Sequence, residues 1–232
     1  RERMKAIGYQ RSLPISDDQS LVDIEIPQPV ASGKDLLVKI RAIAVNPVDY
    51  KIRQNVAPES GEFKVIGWDA VGEVIATGEE VTRFQPGDAV YYAGDLTRPG
   101  SNAEYQLVDE RIVGKKPRSL SDAEAAALPQ TAITAWELLF EHMGIKRQSP
   151  DSVEKCDVFI LVIGAAGGVG SILIQLSKSI TGGTIIATAS RDSSRDWVEI
   201  LGADHVVDLS KPLQPLVVAL GIGPVTQVAG LN

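Results

Sequence analysis

From Lys5 to Val113 apolar and polar residues alternate in short runs: VDIEI at 22–26, VKIRAIAV at 38–45, EVIATG at 73–78, DAVYYAG at 88–94 and AEYQLV at 103–108. A period of two places one face of each run in a core and the other in water, which predicts β-strands. Turn chemistry separates them at Ser32-Gly33-Lys34, Thr77-Gly78-Glu79 and Pro86-Gly87-Asp88. Many short strands at such spacing predict a small antiparallel barrel or sandwich.

Near residue 120 the pattern changes. Ser121 followed by Glu124 forms a capping box, Pro129 interrupts, and a second helix is expected from Thr131 to Gly144. After a polar link at 147–157, the run VFILVI (158–163) is apolar without a break and ends in the small residues GAAGGVG (164–170). SILIQLSKSI then recurs with helical spacing, so a buried parallel strand, a tight turn, a helix over Val169–Ile180 and a second strand over Thr184–Ala189 are predicted. The expected fold is α/β: a β-barrel domain at 4–120, then linker helices and a doubly wound domain at 121–232.

That strand, turn and helix order makes a dinucleotide cradle, because the first N–H groups of a helix face outward and hold a pyrophosphate. Aligned to the glycine fingerprint, Ala165 stands for the first glycine, Gly167 is the second and Gly170 the third, with Gly168 additional and Val169 between them. Ala165 is tolerable there only if its φ is negative. At the tip of the second strand an NAD-selective site places a carboxylate. This chain has Ser190 and Arg191, which can donate to a 2′-phosphate, and the expected coenzyme is NADPH. Arg195 is a second candidate for the same duty, and the competing reading makes Arg191 a solvated residue paired with Asp192.

Composition narrows the classes. A chain of 232 residues with 44% apolar content buries a substantial core, and a net charge of −7 argues against nucleic acid or anionic lipid as partners. One cysteine, Cys156, excludes an internal disulfide framework and suits a reducing compartment. No apolar run reaches the roughly 18 residues of a membrane span, and RERMKAIGY lacks a signal-peptide core, so the cytoplasm is expected.

Five segments in order, NPVDYKIR (46–53), VIGWDAVGEVIATG (65–78), VTRFQPGDAVY (81–91), LPQTAITAWELL (128–139) and GAAGGVG (164–170), resemble the medium-chain dehydrogenase/reductase superfamily. The nearest likeness is to its quinone oxidoreductase branch and to proteins labelled zinc-type alcohol dehydrogenase-like. The resemblance implies a GroES-like catalytic domain, a Rossmann domain and a homodimeric NADPH-dependent reductase. It also implies that Asn46, Tyr50 and Lys51 face the nicotinamide, as oxyanion or ribose donor, proton donor or stacking surface, and source of positive charge respectively. Thr131 would approach the nicotinamide ribose or carboxamide, Trp68 would wall an acceptor pocket or belong to the barrel core, and Arg53 would pair with a local carboxylate.

Zinc-dependent relatives carry a cysteine near NPVD and a His-Glu pair where this chain has Trp68-Asp69. With only His142 and His205 elsewhere, no zinc is expected, and Asp49 and Asp69 are read as turn and strand-end acceptors. Without a metal, a quinone or α,β-unsaturated carbonyl is the suitable acceptor, because its reduction delocalises the charge. The alternatives are a noncatalytic NADPH-binding protein, sensor or crystallin-like, and a zinc-dependent alcohol dehydrogenase. GPVTQVAGLN at the end reads as a fourth Rossmann strand, so the resemblance implies a truncated dinucleotide fold of about half its usual sheet.

Overall fold

The computed structural model describes residues 2–231. They divide into two compact units between Gln130 and Thr131. In the first unit the alternating segments pair as antiparallel strands in two sheets. β1 (Arg3–Tyr9) lies between β2 (Val22–Pro27) and β4 (Lys64–Val65). The larger sheet runs β7 (Tyr105–Asp109), β3 (Asp35–Ala44), β5 (Asp69–Thr77), β6 (Ala89–Ala93) and β8 (Gly114–Lys115). An isolated bridge between Ala6 and Ala103 connects the sheets, and two register shifts along β3 and β5 mark β-bulges, which bend a strand pair. Leu36, Val38, Ala70, Val74, Val90, Tyr92 and Val108 are buried between the strands, at roughly 1.5–3 kcal/mol for each large side chain.

The segment after β3, read from sequence as a turn, is helix α1 (Pro47–Asn55). Its start follows from residue chemistry. Asn46 is extended at φ −127° and ψ 159°, Pro47 fits the first turn, and the Asp49 carboxylate accepts from the Asn46 N–H at 2.6 Å. Val48 and Ile52 of α1 pack on the cluster of Tyr9, Ile66 and Trp68. Helix α2 (Asp122–Ala126) has the Ser121/Glu124 capping box expected of it, and its Ala125 and Ala126 bury against Val71 of β5. The first unit therefore extends past the change of pattern near residue 120.

Helix α3 (Pro129–Trp136) opens on Pro129, which begins the helix instead of interrupting it, because a first-turn residue needs no N–H bond. Its continuation widens to a π-helical turn over Glu137–His142 and closes at Gly144. The second unit then builds β9 (Phe159–Ile163), α4 (Gly168–Ile180), β10 (Thr184–Thr188), α5 (Asp192–Leu201), β11 (His205–Val207), α6 (Leu213–Ala219) and β12 (Gln227–Gly230). The four strands are parallel in the order β11, β10, β9, β12, the arrangement of a doubly wound sheet. Ile160, Val162, Leu173, Ile174, Ile185 and Val198 form its buried core. Among the described residues no helix is long and apolar enough to cross a membrane.

Candidate functional site

The second unit holds the glycine-rich turn. β9 ends at Ile163, and Gly164 turns the chain at φ +77°, a conformation that L side chains rarely adopt. No non-glycine residue among those described has positive φ, so Ala165 meets the condition its place requires. Ala165 is buried in the core as a whole residue, its main chain packed against Gly170. The Gly167 N–H closes on the Gly164 carbonyl at 3.2 Å, and Gly167 caps α4. The helix then packs so closely on the turn that a Cβ on Gly170 would lie 2.3 Å from the Ala165 carbonyl oxygen. The leading N–H groups of α4, from Gly168, Val169 and Gly170, have no intrahelical acceptors, as at every helix start. Together with the helix dipole they form an anion site, and the residues present fit a pyrophosphate. Thr131 on α3 borders this turn: its methyl stands 3.2 Å from where a Cβ of Gly168 would be.

Thr188, the last residue of β10, sends its buried hydroxyl under the cradle and accepts from the Gly164 N–H at 3.2 Å. Beyond it, Ser190 and Arg191 are exposed. The Arg191 carbonyl accepts from the Ser194 and Arg195 N–H groups at 3.0 Å each and so starts α5. Among the described residues the Arg191 guanidinium has no ion pair, so the pairing with Asp192 weighed from sequence is not formed.

In the first unit Asn46 meets Asp69. Its Nδ2 donates to Asp69 Oδ2 at 2.8 Å, while Asp69 Oδ1 accepts from the Gln130 main-chain N–H, also at 2.8 Å. Asp69 is fully buried at the start of β5. Burial pushes its pKa up to about 6, against the two hydrogen bonds that lower it, and nearby Asp49 adds to the rise. Asp49 is itself raised by burial, opposed by the Asn46 N–H, and its Oδ1 has no hydrogen-bond partner among the described residues.

The remaining candidates of this unit separate. Tyr50 and Lys51 lie on the exposed side of α1. Trp68 is buried, donating Nε1 to the Asp95 carbonyl at 3.0 Å, and so belongs to the core. Arg53 is buried too, but its Nη1 donates to the Leu13 carbonyl at 2.6 Å, a backbone acceptor in place of the expected carboxylate. Among the described residues no three His, Cys, Asp or Glu side chains cluster as metal ligands would.

Thr188 had only a weak signal in the sequence, a polar residue ending the apolar run Thr184–Thr188. Asp69 is the strand-end acceptor expected of it, with partners, Asn46 and Gln130, that the sequence did not name.

A bulged antiparallel domain followed by a parallel sheet with a glycine turn is a two-domain plan with a dinucleotide-type cradle in its second part. Residues 32–118 match the alcohol dehydrogenase GroES-like domain family. A zinc-type alcohol dehydrogenase-like protein of Staphylococcus aureus is 43% identical over 210 residues, 90% of this chain and 61% of that protein. The 2-methylene-furan-3-one reductase of Solanum lycopersicum is 37% identical over 206 residues, 84% of this chain and 50% of the reductase. The solved quinone oxidoreductase of Coxiella burnetii superposes with a TM-score of 0.80 at 28% identity, over 98% of this chain and 68% of that one. Over nearly its whole length the chain is similar to proteins of the medium-chain dehydrogenase/reductase kind, quinone oxidoreductases among them. It spans about three fifths of the length of the staphylococcal relative.

Proposed function

We propose that the protein is an NADPH-dependent oxidoreductase that reduces a quinone or an α,β-unsaturated carbonyl without zinc. The observation that carries the reading is the unpaired Arg191 beside Ser190 at the tip of β10, one strand over from the glycine cradle. A carboxylate there would repel a 2′-phosphate, whereas a guanidinium and a hydroxyl donate to it. In this reading the α4 N–H groups hold the pyrophosphate, and Thr131 beside Gly168 lies toward the nicotinamide end. The bound coenzyme supplies a hydride. Asn46, Tyr50 and Lys51 orient the acceptor and meet the charge that develops on its oxygen, and the proton that completes reduction comes from Tyr50 or solvent.

The zinc-free part of the reading rests on donor chemistry. Asp69 is committed to Asn46 and Gln130, Trp68 to the core, and both histidines lie in the second unit. The names of two relatives, a quinone oxidoreductase and a 2-methylene-furan-3-one reductase, support activated carbonyl acceptors. Fluorescence titration of NADPH against NADH, an acceptor panel and metal analysis on the same sample test it. Tighter NADPH binding with quinone-dependent oxidation and no stoichiometric zinc is the expected result. NADPH binding without turnover would instead favour a noncatalytic sensor or crystallin-like role, and stoichiometric zinc an alcohol dehydrogenase. We also expect a homodimer on size exclusion.

A further inference from the structure

We propose that Trp197 and Ser171 form a positioning relay for the glycine cradle. The indole N–H sets the Ser171 hydroxyl, the hydroxyl holds the Gly167 carbonyl, and the Gly168 N–H is thereby kept aimed at a diphosphate. For its ligand the relay rests on the coenzyme reading above, and for its geometry on hydrogen bonds within the second unit alone.

The peptide between Gly167 and Gly168 needs such a hold. Gly167 has φ −76°, which any residue adopts, and a Cβ there would meet only the Gly164 carbonyl oxygen at 3.4 Å, an ordinary contact. Neither strain nor crowding therefore fixes this peptide. Both residues are exposed and carry no side chain, so the plane between them turns at low cost into conformations that a Cβ would forbid. In a trans peptide the carbonyl and the following N–H point in opposite directions, and no peptide among the described residues is cis. Holding the Gly167 carbonyl toward the helix thus directs the Gly168 N–H outward, where it is one of the donors left free at the start of α4.

Two groups of Ser171 hold that carbonyl, its N–H at 2.9 Å and its Oγ at 2.7 Å. The first is an ordinary helix bond. The second depends on which way the hydroxyl proton points, and Trp197 decides that: its Nε1 donates to Ser171 Oγ at 2.9 Å. An indole N–H can only donate, so it occupies a lone pair of the hydroxyl and leaves the hydroxyl proton for the Gly167 carbonyl. Bonds in such a chain polarise and strengthen one another. Trp197 lies on α5 and is 46% exposed, whereas its neighbour Val198 is fully buried beside Leu173 and Ile174 of α4. Val198 therefore carries the packing between the two helices, and the Trp197 indole can be altered without opening the core.

The test uses 15N-labelled protein. The Trp197 indole N–H resonance, identified by its loss in Trp197→Phe, should exchange about tenfold more slowly than that of an exposed indole. Ser171→Ala should remove this protection, and both Ser171→Ala and Trp197→Phe should shift the Gly168 amide. Titrations with inorganic pyrophosphate, NADPH and NADH should weaken alike, about fivefold in Trp197→Phe and about tenfold in Ser171→Ala, because the diphosphate is common to all three. Ser171→Thr restores the hydroxyl and should bind within about twofold of the wild type. A Gly168 amide unmoved by both variants would overturn the proposal, as would a shifted amide with unchanged affinities. Failure of the threonine to rescue would do so too, since helix packing and not the hydroxyl would then be responsible. A loss confined to NADPH would place Trp197 at the 2′-phosphate instead and count equally against the relay. Wild-type protein that binds pyrophosphate but neither coenzyme would defeat the coenzyme reading alone, and protein that binds none of the three would overturn both.

Discussion

The two units hold their candidate chemistry in opposite ways. In the second, the cradle is made of main chain. Contiguous residues 164–170 turn and present N–H groups, and glycine is needed where the backbone bends or another segment touches it. In the first, the node joins the side chains of Asn46 and Asp69 and the main-chain N–H of Gln130, three distant stretches of sequence. A main-chain site is encoded by the local order of small residues. A side-chain site is encoded by the packing of everything between its members, so the two should respond differently to substitution and to pH.

The largest effect should come from filling the contact under the cradle. A Gly170→Val side chain would start 2.3 Å from the Ala165 carbonyl oxygen, a backbone atom that cannot step aside. Overpacking of this kind costs about 3 kcal/mol. Thermal denaturation should show the loss, and coenzyme titration a fall beyond about 100-fold, as misplaced N–H donors give up charge-assisted bonds worth about 1.5–3 kcal/mol each. A Gly170→Val protein that kept its NADPH affinity would break the idea that backbone approach, and not merely glycine content, builds this site.

Next in size is the node. Asp69→Ala strands the Asn46 amide and the Gln130 N–H, each at about 1–3 kcal/mol, offset in part by removing a buried charge, for a net loss of about 2 kcal/mol in chemical denaturation. The pH dependence has a definite sign. Asp69 titrates near 6 when folded and near 3.8 when unfolded, so between these values the folded chain holds a proton the unfolded chain has released. Its contribution is fully present below about 4 and is lost as the pH rises through 6, on the order of 2 kcal/mol in all. Comparing unfolding free energies of the wild type and Asp69→Asn from pH 4 to 7.5 isolates this slope, which the variant should lack. Asp109, held by Arg111 at about 2, acts in the opposite direction at much lower pH and is common to both proteins.

This contrast also explains how much could be read in advance. The order of strands 158–163 and 184–189 and the helix between them follow from periodicity and small residues, and the structure has them within a residue or two. The alternating strands of the first unit were equally legible. Helix α1 was less legible: Asn46, Pro47 and Asp49 spell a helix start, but an Asn-Pro pair is equally ordinary at a turn. Asp69 was legible as a strand-end acceptor, but its partner in the first turn of α3 was not, because nothing near position 69 points to position 130. Arg53 likewise found a carbonyl where charge alone suggested a carboxylate, since burial selects whatever acceptor the fold brings close.

A third substitution sharpens the comparison at the rim of the cradle, where selectivity is expected to depend on a side chain. Arg191→Ala should weaken NADPH binding by 10- to 100-fold, the range of about 1.5–3 kcal/mol for hydrogen bonds to a charged group, and leave NADH binding unchanged within about twofold. Parallel fluorescence titrations measure the ratio. Equal losses for both coenzymes would mean that Arg191 acts on the pyrophosphate or on the start of α5, and Arg195 would become the residue to examine.

The smallest predicted effect is the most diagnostic, because Thr188 is where the main-chain site leans on a side chain. Its hydroxyl accepts from the Gly164 N–H at 3.2 Å beneath the turn, and the residue is buried. Valine has nearly the same shape and lacks the acceptor, so Thr188→Val should cost about 1 kcal/mol through an unsatisfied, partly buried N–H with little loss of packing. Gly164 sits at positive φ, and releasing its N–H lets the turn sample other conformations. Coenzyme affinity should therefore fall two- to fivefold, with amide exchange at Gly164 accelerated by about tenfold, readable by NMR on the same sample. If exchange accelerates while affinity holds, the glycine turn is self-sufficient and the division between main-chain and side-chain sites is complete. If affinity falls with it, the cradle too depends on one residue that sequence periodicity alone would have passed over.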